Sequence, residues 1–181
     1  MKKQYSLYTL KNGDVRAETL FFPSDKVPVG IPISTPLTFP FQDSKVYLCL
    51  DKTGWWNPLG GHINKGETWQ EAVTREAREE AGVIINDIRT VGHIHVRHST
   101  NTIDPKHPPE SIIPITVSKV VKYLSNWKKH ETRERGIFTP KEAVELFKKR
   151  QDNNQMLEIF KYVINNYQKR REWVDRKSTT P

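Results

Sequence analysis

Between Thr68 and Gly82 the chain spells a helix whose apolar stripe is broken by carboxylates. Thr68 and Glu71 form the S/T-x-x-E capping box that opens a helix, and Gly82 supplies a stop. At about 100° per residue, Trp69, Ala72, Val73 and Ala77 fall on one face. Gln70, Glu71, Thr74, Arg75 and Arg78 fall on the other. The next places on the apolar stripe are taken by Glu76 and Glu80, with Glu79 at its edge. A fold that buries this stripe carries carboxylates toward its interior, which is costly when they stay uncompensated. A divalent cation would compensate them, since hard cations prefer oxygen ligands. A solvated helix with i,i+4 ion pairs accounts for Glu71 with Arg75 and for Arg75 with Glu79, but not for Glu76 and Glu80.

The residues before this helix read as a loop: Trp55-Trp56-Asn57-Pro58-Leu59-Gly60-Gly61-His62-Ile63-Asn64-Lys65-Gly66-Glu67. Pro58, Gly60, Gly61 and Gly66 punctuate it, and paired glycines let the backbone approach a ligand closely. It is no Walker loop, because G-x-x-x-x-G-K-[ST] does not occur. Taken together, residues 61–83 resemble the Nudix box, through Gly61, Glu67, Arg75-Glu76, Ala77, Glu79-Glu80, Gly82 and Val83. Every position of the pattern is filled. Each of its fixed identities has a background frequency of roughly 5–7%, so chance agreement is negligible. One departure lies just upstream, where many members have Pro-Gly-Gly and this chain has Leu59-Gly60-Gly61.

The resemblance implies a sandwich of helices around a mixed β-sheet, an α/β fold. It implies hydrolysis of a nucleoside diphosphate linked to another group X, with Mg²⁺ or Mn²⁺ as cofactor. By the same resemblance Glu76, Glu79 and Glu80 bind metal and the Gly60 carbonyl joins them. Arg75 orients the glutamates and Glu67 supports the junction of loop and helix. The residue types suit the chemistry. Cations neutralise a diphosphate and lower the pKa of a bound water, and a carboxylate such as Glu79 or Glu80 takes the proton. The isomerase branch of the fold uses a cysteine just before its Gly-His pair, a place held here by Gly60.

A chain of 181 residues is long enough for one domain with a full core, and we expect one domain over 1–181. Mean hydropathy is −0.70 and no run of 18 apolar residues occurs, so no membrane span is expected. The start has no apolar stretch of the signal-peptide kind. A lone Cys49 within Val46-Tyr47-Leu48-Cys49-Leu50 reads as core filler in a strand, in a reducing cytoplasm. Net charge is +8 and uneven: residues 125–181 carry 14 basic against 8 acidic side chains. A basic third suits a polyphosphate or RNA partner, although a solvated Lys-rich surface explains it as well. Oligomeric state is not encoded.

Asn12-Gly13 predicts a hairpin over 1–22, and five prolines between 23 and 40 predict an extended loop. Strands are expected at 45–50, 88–98 and 112–124, with loops at 99–110 and 125–138. Thr139-Pro140-Lys141-Glu142 caps a helix to about 150, and a second helix runs from about 154 to 173, so helices span 140–173. Residues 175–181 are expected to fray.

Other candidates are less anchored. His62 follows the glycine pair and is placed to contact phosphate. Trp55, Trp56 and Trp127 are candidate stacking partners for a base, although most aromatics are core. Glu131 and Glu134 lie where Nudix proteins often add a ligand or base, and Glu110 is a lesser candidate. His93 and His95 share one face of a strand without zinc-ligand company. Family markers for ADP-ribose and dinucleoside polyphosphates are missing at Ser99 and Asn101, as is the coenzyme A motif. Two alternatives stand beside hydrolysis of a nucleotide-type small molecule: a non-catalytic nucleotide sensor, and action on RNA 5′ ends.

Overall fold

The computed structural model describes residues 5–12, 15–98, 108–128, 132–150 and 154–178, of which 10–12, 15 and 168–178 are described in backbone only. The strands are β1 (Leu7–Asn12), β2 (Val15–Pro23), β3 (Leu37–Gln42), β4 (Lys45–Leu50), β5 (Trp56–Asn57), β6 (Leu59–Gly60), β7 (Val83–His98), β8 (Glu110–Tyr123) and β9 (Glu134–Phe138). The helices are α1 (Trp69–Ala81), α2 (Pro140–Lys148) and α3 (Gln155–Ser178). The strands form one sheet in the order β1-β2-β7-β8-β3-β4-β5, with β6 beside β3 and β9 beside β4. Only β3 and β8 run parallel within this path, so the sheet is mixed.

Alternation along the strands sends side chains to two cores. On one face Phe39, Phe41, Val46, Leu48, Ile94 and Ile115 pack against Phe147 of α2 and Ile159, Phe160 and Val163 of α3. On the other, Tyr47, Cys49, Leu59, Val83, Ile85 and Val120 pack against Val73, Ala77 and Ala81 of α1. Two layers of helix therefore enclose the sheet, the α/β architecture expected. The Cys49 thiol is buried, and burial pushes its pKa upward, so it fills core as expected.

The hairpin pairs Leu7 with Leu20 through Asn12 with Val15, while its Gly13-Asp14 turn lies outside the described residues. The capping boxes at Thr68 and Thr139 both form, and Gly82 adopts the left-handed cap at φ 61°.

Four expectations need correction. The proline-rich segment does not stay loop to 40, because β3 begins at Leu37. Pro40 sits between the pairings of β3 with β6 and with β4, where a missing N–H breaks no ladder on that edge. β7 starts at Val83 rather than 88, because the turn-like Asn86-Asp87 is absorbed as a bulge with Asp87 at φ 51°. The expected loop at 125–138 ends in β9, which pairs with β4 from Val46–Phe138 to Leu50–Glu134. The helix from 155 continues to Ser178, past the expected end at 173.

Candidate active site

Gly60 ends β6 and is held against β3, where its φ of 152° and a Pro36 carbonyl 2.1 Å from where a Cβ would lie admit only glycine. That placement aims the Gly60 N–H at α1, and it donates to Glu80 Oε2 at 2.8 Å. Gly61 follows with equal closeness: a Cβ there would stand 2.2 Å from Glu76 Oε1. The glycine pair thus lets two carboxylates of the helix press against bare backbone.

Arg75 organises the rest. Its Nε and Nη2 donate to Glu67 Oε1 and Oε2 at 2.9 and 3.0 Å, a two-pronged pair. Nη2 also donates to the His62 carbonyl at 2.9 Å. Nη1 reaches Glu76 Oε1 at 2.7 Å and Glu79 Oε2 at 3.0 Å. The carboxylates around it raise the Arg75 pKa, with its hydrogen bonds to Glu67 the largest cause. The Arg75 hydrogen bonds, then the Asn64 N–H at 2.9 Å, lower the Glu67 pKa. One guanidinium therefore ties the loop to the helix and fixes the direction of Glu76 on the stripe and Glu79 at its edge.

Glu76, Glu79 and Glu80 line one cavity of about 460 Å³ together with Thr35, Gly60, Gly61, His62, Asn64 and Arg75. Of the expected site residues, this cavity gathers Gly60, His62, Arg75, Glu76, Glu79 and Glu80, and leaves out Glu67, Trp55, Trp56, Glu110, Trp127, Glu131 and Glu134. Glu67 stands behind Arg75. Trp56 packs edge-on against Phe138 with ring centroids 4.7 Å apart, in the core under α2 and α3. Glu134 begins β9, exposed, opposite Leu50. Glu131 lies outside the described residues. A larger cavity of about 610 Å³ opens at the far end of β3 between Phe41, Lys119, Tyr162 and Tyr167, and no box residue lines it.

The C-terminal turn of α1 carries Glu79 and Glu80, and a helix leaves its last four carbonyls without intrahelical partners. Here each finds a donor. The Gly82 N–H serves Arg78, and Trp127 Nε1 serves Glu79 at 2.7 Å. Thr132 Oγ1 serves Glu80 at 3.1 Å and Arg135 Nη1 serves Ala81 at 2.9 Å. Sequence reasoning marked Trp127 only as a possible stacking partner and passed over Thr132 and Arg135. No local spacing connects residues some fifty positions apart.

Among the described residues, no three His, Cys, Asp or Glu side chains are drawn together at metal-holding distance. The lining nevertheless suits a hard cation: three carboxylates and bare backbone at Gly60 and Gly61 share one cavity, and such cations prefer oxygen ligands.

The profile of the family described as NUDIX domain matches residues 39–160. The chain belongs to the Nudix family. Among curated relatives, an oxidized purine nucleoside triphosphate hydrolase of Mus musculus is 36% identical over 62 residues, 32% of this chain and 40% of that protein. An isopentenyl-diphosphate Delta-isomerase of Klebsiella pneumoniae is 37% identical over 68 residues, 37% of this chain and 35% of that protein. The chain thus spans two fifths or less of the length of these relatives. Among solved structures, a NUDIX hydrolase from Nitrosomonas europaea superposes at a TM-score of 0.59 with 17% identity, covering 75% of this chain and 90% of that one. A Bacillus subtilis pyrophosphohydrolase superposes at 0.56, also at 17% identity, covering 72% and 77%. This Nudix chain therefore shares the family fold. No helix among its described residues is long and apolar enough to cross a membrane.

Proposed function

We propose that this protein is a pyrophosphohydrolase that cleaves the diphosphate bond of a nucleoside diphosphate linked to a group X, using Mg²⁺ or Mn²⁺, in the cytoplasm. The observation that carries the reading is the Arg75 cluster, which orders Glu76 and Glu79 beside Glu80 in one cavity. Glu76, Glu79 and Glu80, with the Gly60 carbonyl, would hold the cation. When bound, the cation supplies charge neutralisation for the diphosphate and a more acidic water.

The chain's own groups do the remaining work. Glu67 anchors Arg75, and Arg75 keeps the carboxylates of Glu76 and Glu79 turned toward the cavity. The Gly60 N–H does the same for Glu80. Glu79 or Glu80 takes the proton of the attacking water. His62 stands at the rim with its side chain exposed, placed to meet a phosphate.

The test is chromatographic detection of the nucleoside monophosphate and X-phosphate formed from nucleoside triphosphates, nucleotide-sugars, dinucleoside polyphosphates and capped RNA, with each metal. Turnover that Glu79→Gln or Glu80→Gln lowers by orders of magnitude supports the assignment. Turnover unchanged in both variants sinks it, and no turnover on any substrate favours a nucleotide sensor.

A further inference from the structure

Most donors of the acidic cavity are already committed. Each nitrogen of the Arg75 guanidinium is engaged, by Glu67, Glu76, Glu79 or the His62 carbonyl. The Gly60 N–H is given to Glu80. Among the side chains that line the cavity, three donors are left: the Thr35 hydroxyl, the His62 ring and the Asn64 amide. None of the three hydrogen-bonds to another described residue. His62 and Asn64 are exposed, where water serves them, but Thr35 is half-buried.

Of the described residues that line the cavity, Thr35 alone comes from neither the glycine loop nor α1. It lies two residues before β3, and its backbone is held on both sides. On one side Ile33 bridges to Ile112, the Ser34 N–H donates to the Ile112 carbonyl at 3.0 Å, and the Ile112 N–H donates to the Pro32 carbonyl at 2.8 Å. On the other, the Pro36 carbonyl stands against Gly60, and Leu37 pairs with Gly60. The Leu37 carbonyl accepts from Thr116 Oγ1 at 2.9 Å. A residue before proline is confined to extended backbone, and a β-branched side chain is stiff at χ1. Thr35 therefore carries its hydroxyl on a short, fixed arm.

An uncharged donor suits this wall. A lysine or arginine here would be drawn to Glu76, Glu79 and Glu80 and would compete with a cation for them. A hydroxyl donates to a phosphate oxygen without adding such a charge. Hydrogen bonds to an ionised acceptor are the stronger kind, and one made by a group already held in place costs little ordering entropy.

We propose that the Thr35 hydroxyl donates to a non-bridging oxygen of the substrate's diphosphate, from the wall of the cavity that α1 does not supply. The contact rests on the pyrophosphohydrolase reading above, because it supposes a diphosphate at Glu76, Glu79 and Glu80. It makes Thr35 a substrate-binding residue that holds the phosphate directly rather than through the metal.

The experiment uses methylenediphosphonate, a diphosphate analogue with no anhydride bond to cleave. Calorimetry follows its binding with Mg²⁺, and the binding of Mn²⁺ alone, to the wild type, Thr35→Val and Thr35→Ser, with nucleotide hydrolysis assayed in parallel. Loss of a hydrogen bond to a charged acceptor predicts a diphosphonate affinity about tenfold or more lower in Thr35→Val. Thr35→Ser restores the hydroxyl and should recover most of that affinity. Mn²⁺ affinity and the thermal midpoint of Thr35→Val should stay near those of the wild type, since the lost hydroxyl has no partner among the described residues. An unchanged diphosphonate affinity in Thr35→Val would overturn the contact. So would a loss that Thr35→Ser does not recover, or one matched by an equal loss for Mn²⁺, because each marks a changed cavity shape rather than a missing donor. Nucleotide hydrolysis by the wild type with Thr35-independent diphosphonate binding removes the contact and leaves the enzyme. Thr35-dependent binding without hydrolysis of any nucleotide leaves the contact and removes the enzyme.

Discussion

Arg75 grips Glu67 with two parallel hydrogen bonds, at 2.9 and 3.0 Å, and with its remaining nitrogen holds two glutamates of the acidic cavity. Lysine cannot reproduce this, because an ammonium has no planar fork and serves as a point charge. Arg75→Lys keeps the charge but frees either Glu67 or the pair Glu76 and Glu79. Groups that orient metal ligands are worth about 10–100-fold in metal affinity or activity. The Mg²⁺ concentration giving half-maximal hydrolysis should therefore rise by about that factor. A titration curve that does not move would show that the glutamates orient themselves.

The two glycines before the helix should fail in different ways. At Gly60 an added Cβ meets the Pro36 carbonyl, which is backbone, and the φ of 152° is strained for any other residue. Gly60→Ala should destabilise by about 1–3 kcal/mol or more, seen as a lower thermal midpoint. At Gly61 the added Cβ meets only the Glu76 carboxylate, the end of a flexible side chain. Gly61→Ala should leave the midpoint within a few degrees yet cut the hydrolysis rate at least tenfold, by turning Glu76 away. Equal loss of stability in both variants would contradict this division.

The acidic helix and its caps were legible because every signal was local: a capping box, a left-handed glycine and a stripe phase. The same holds for α2 and for the β1–β2 pairing. β9 was hidden because Glu134-Arg135-Gly136 looks like loop, and only the exposed ladder of β4 makes it a strand. The start of β7 was hidden because Asn86-Asp87 carries turn chemistry, spent here on a bulge whose Asp87 pairs with Arg89. Within the site, the box residues were readable by spacing. Thr35 and the donors Trp127, Thr132 and Arg135 were not, since tertiary packing alone brings Thr35 to the cavity and the donors to α1. Trp56 shows the converse: its neighbourhood in sequence suggested a ligand, and packing assigned it to Phe138.

Asp51 predicts an acid-sensitive turn. Burial by itself would raise its pKa, but the Thr53 hydroxyl, the N–H groups of Trp55 and Thr53, and the Asn57 amide outweigh it and leave the pKa lowered. Those bonds run from 2.6 to 3.0 Å. A carboxylate with a folded pKa below its unfolded value of about 3.9 contributes stability that is full above that value. The contribution is lost as pH falls through the lower folded pKa. The gap in thermal midpoint between the wild type and Asp51→Asn should be open at pH 7 and narrow as pH falls below the unfolded value. A gap constant with pH would mean that the charge is not what the turn uses.

Arg135 ties the end of α1 to Leu124, just past the end of β8. Its Nη1 donates to Ala81 O at 2.9 Å and to Leu124 O at 3.0 Å, and the guanidinium lies 4.1 and 4.5 Å from the rings of Tyr123 and Trp127. A cation at a helix C-terminus also opposes the negative end of the helix dipole. Arg135→Lys preserves the charge and removes the stacked fork, and Trp127→Phe preserves the ring and removes the donor to Glu79 O. Each loses a hydrogen bond worth about 0.5–1.5 kcal/mol, a fall of a few degrees in thermal midpoint. The carbonyls concerned belong to the turn that carries Glu79 and Glu80, so loosening it moves the proposed ligands. Half-saturation by Mg²⁺ should therefore shift upward in both variants, in step with the loss of stability. A lower midpoint with unchanged metal dependence would confine this cap to the fold and separate it from the chemistry.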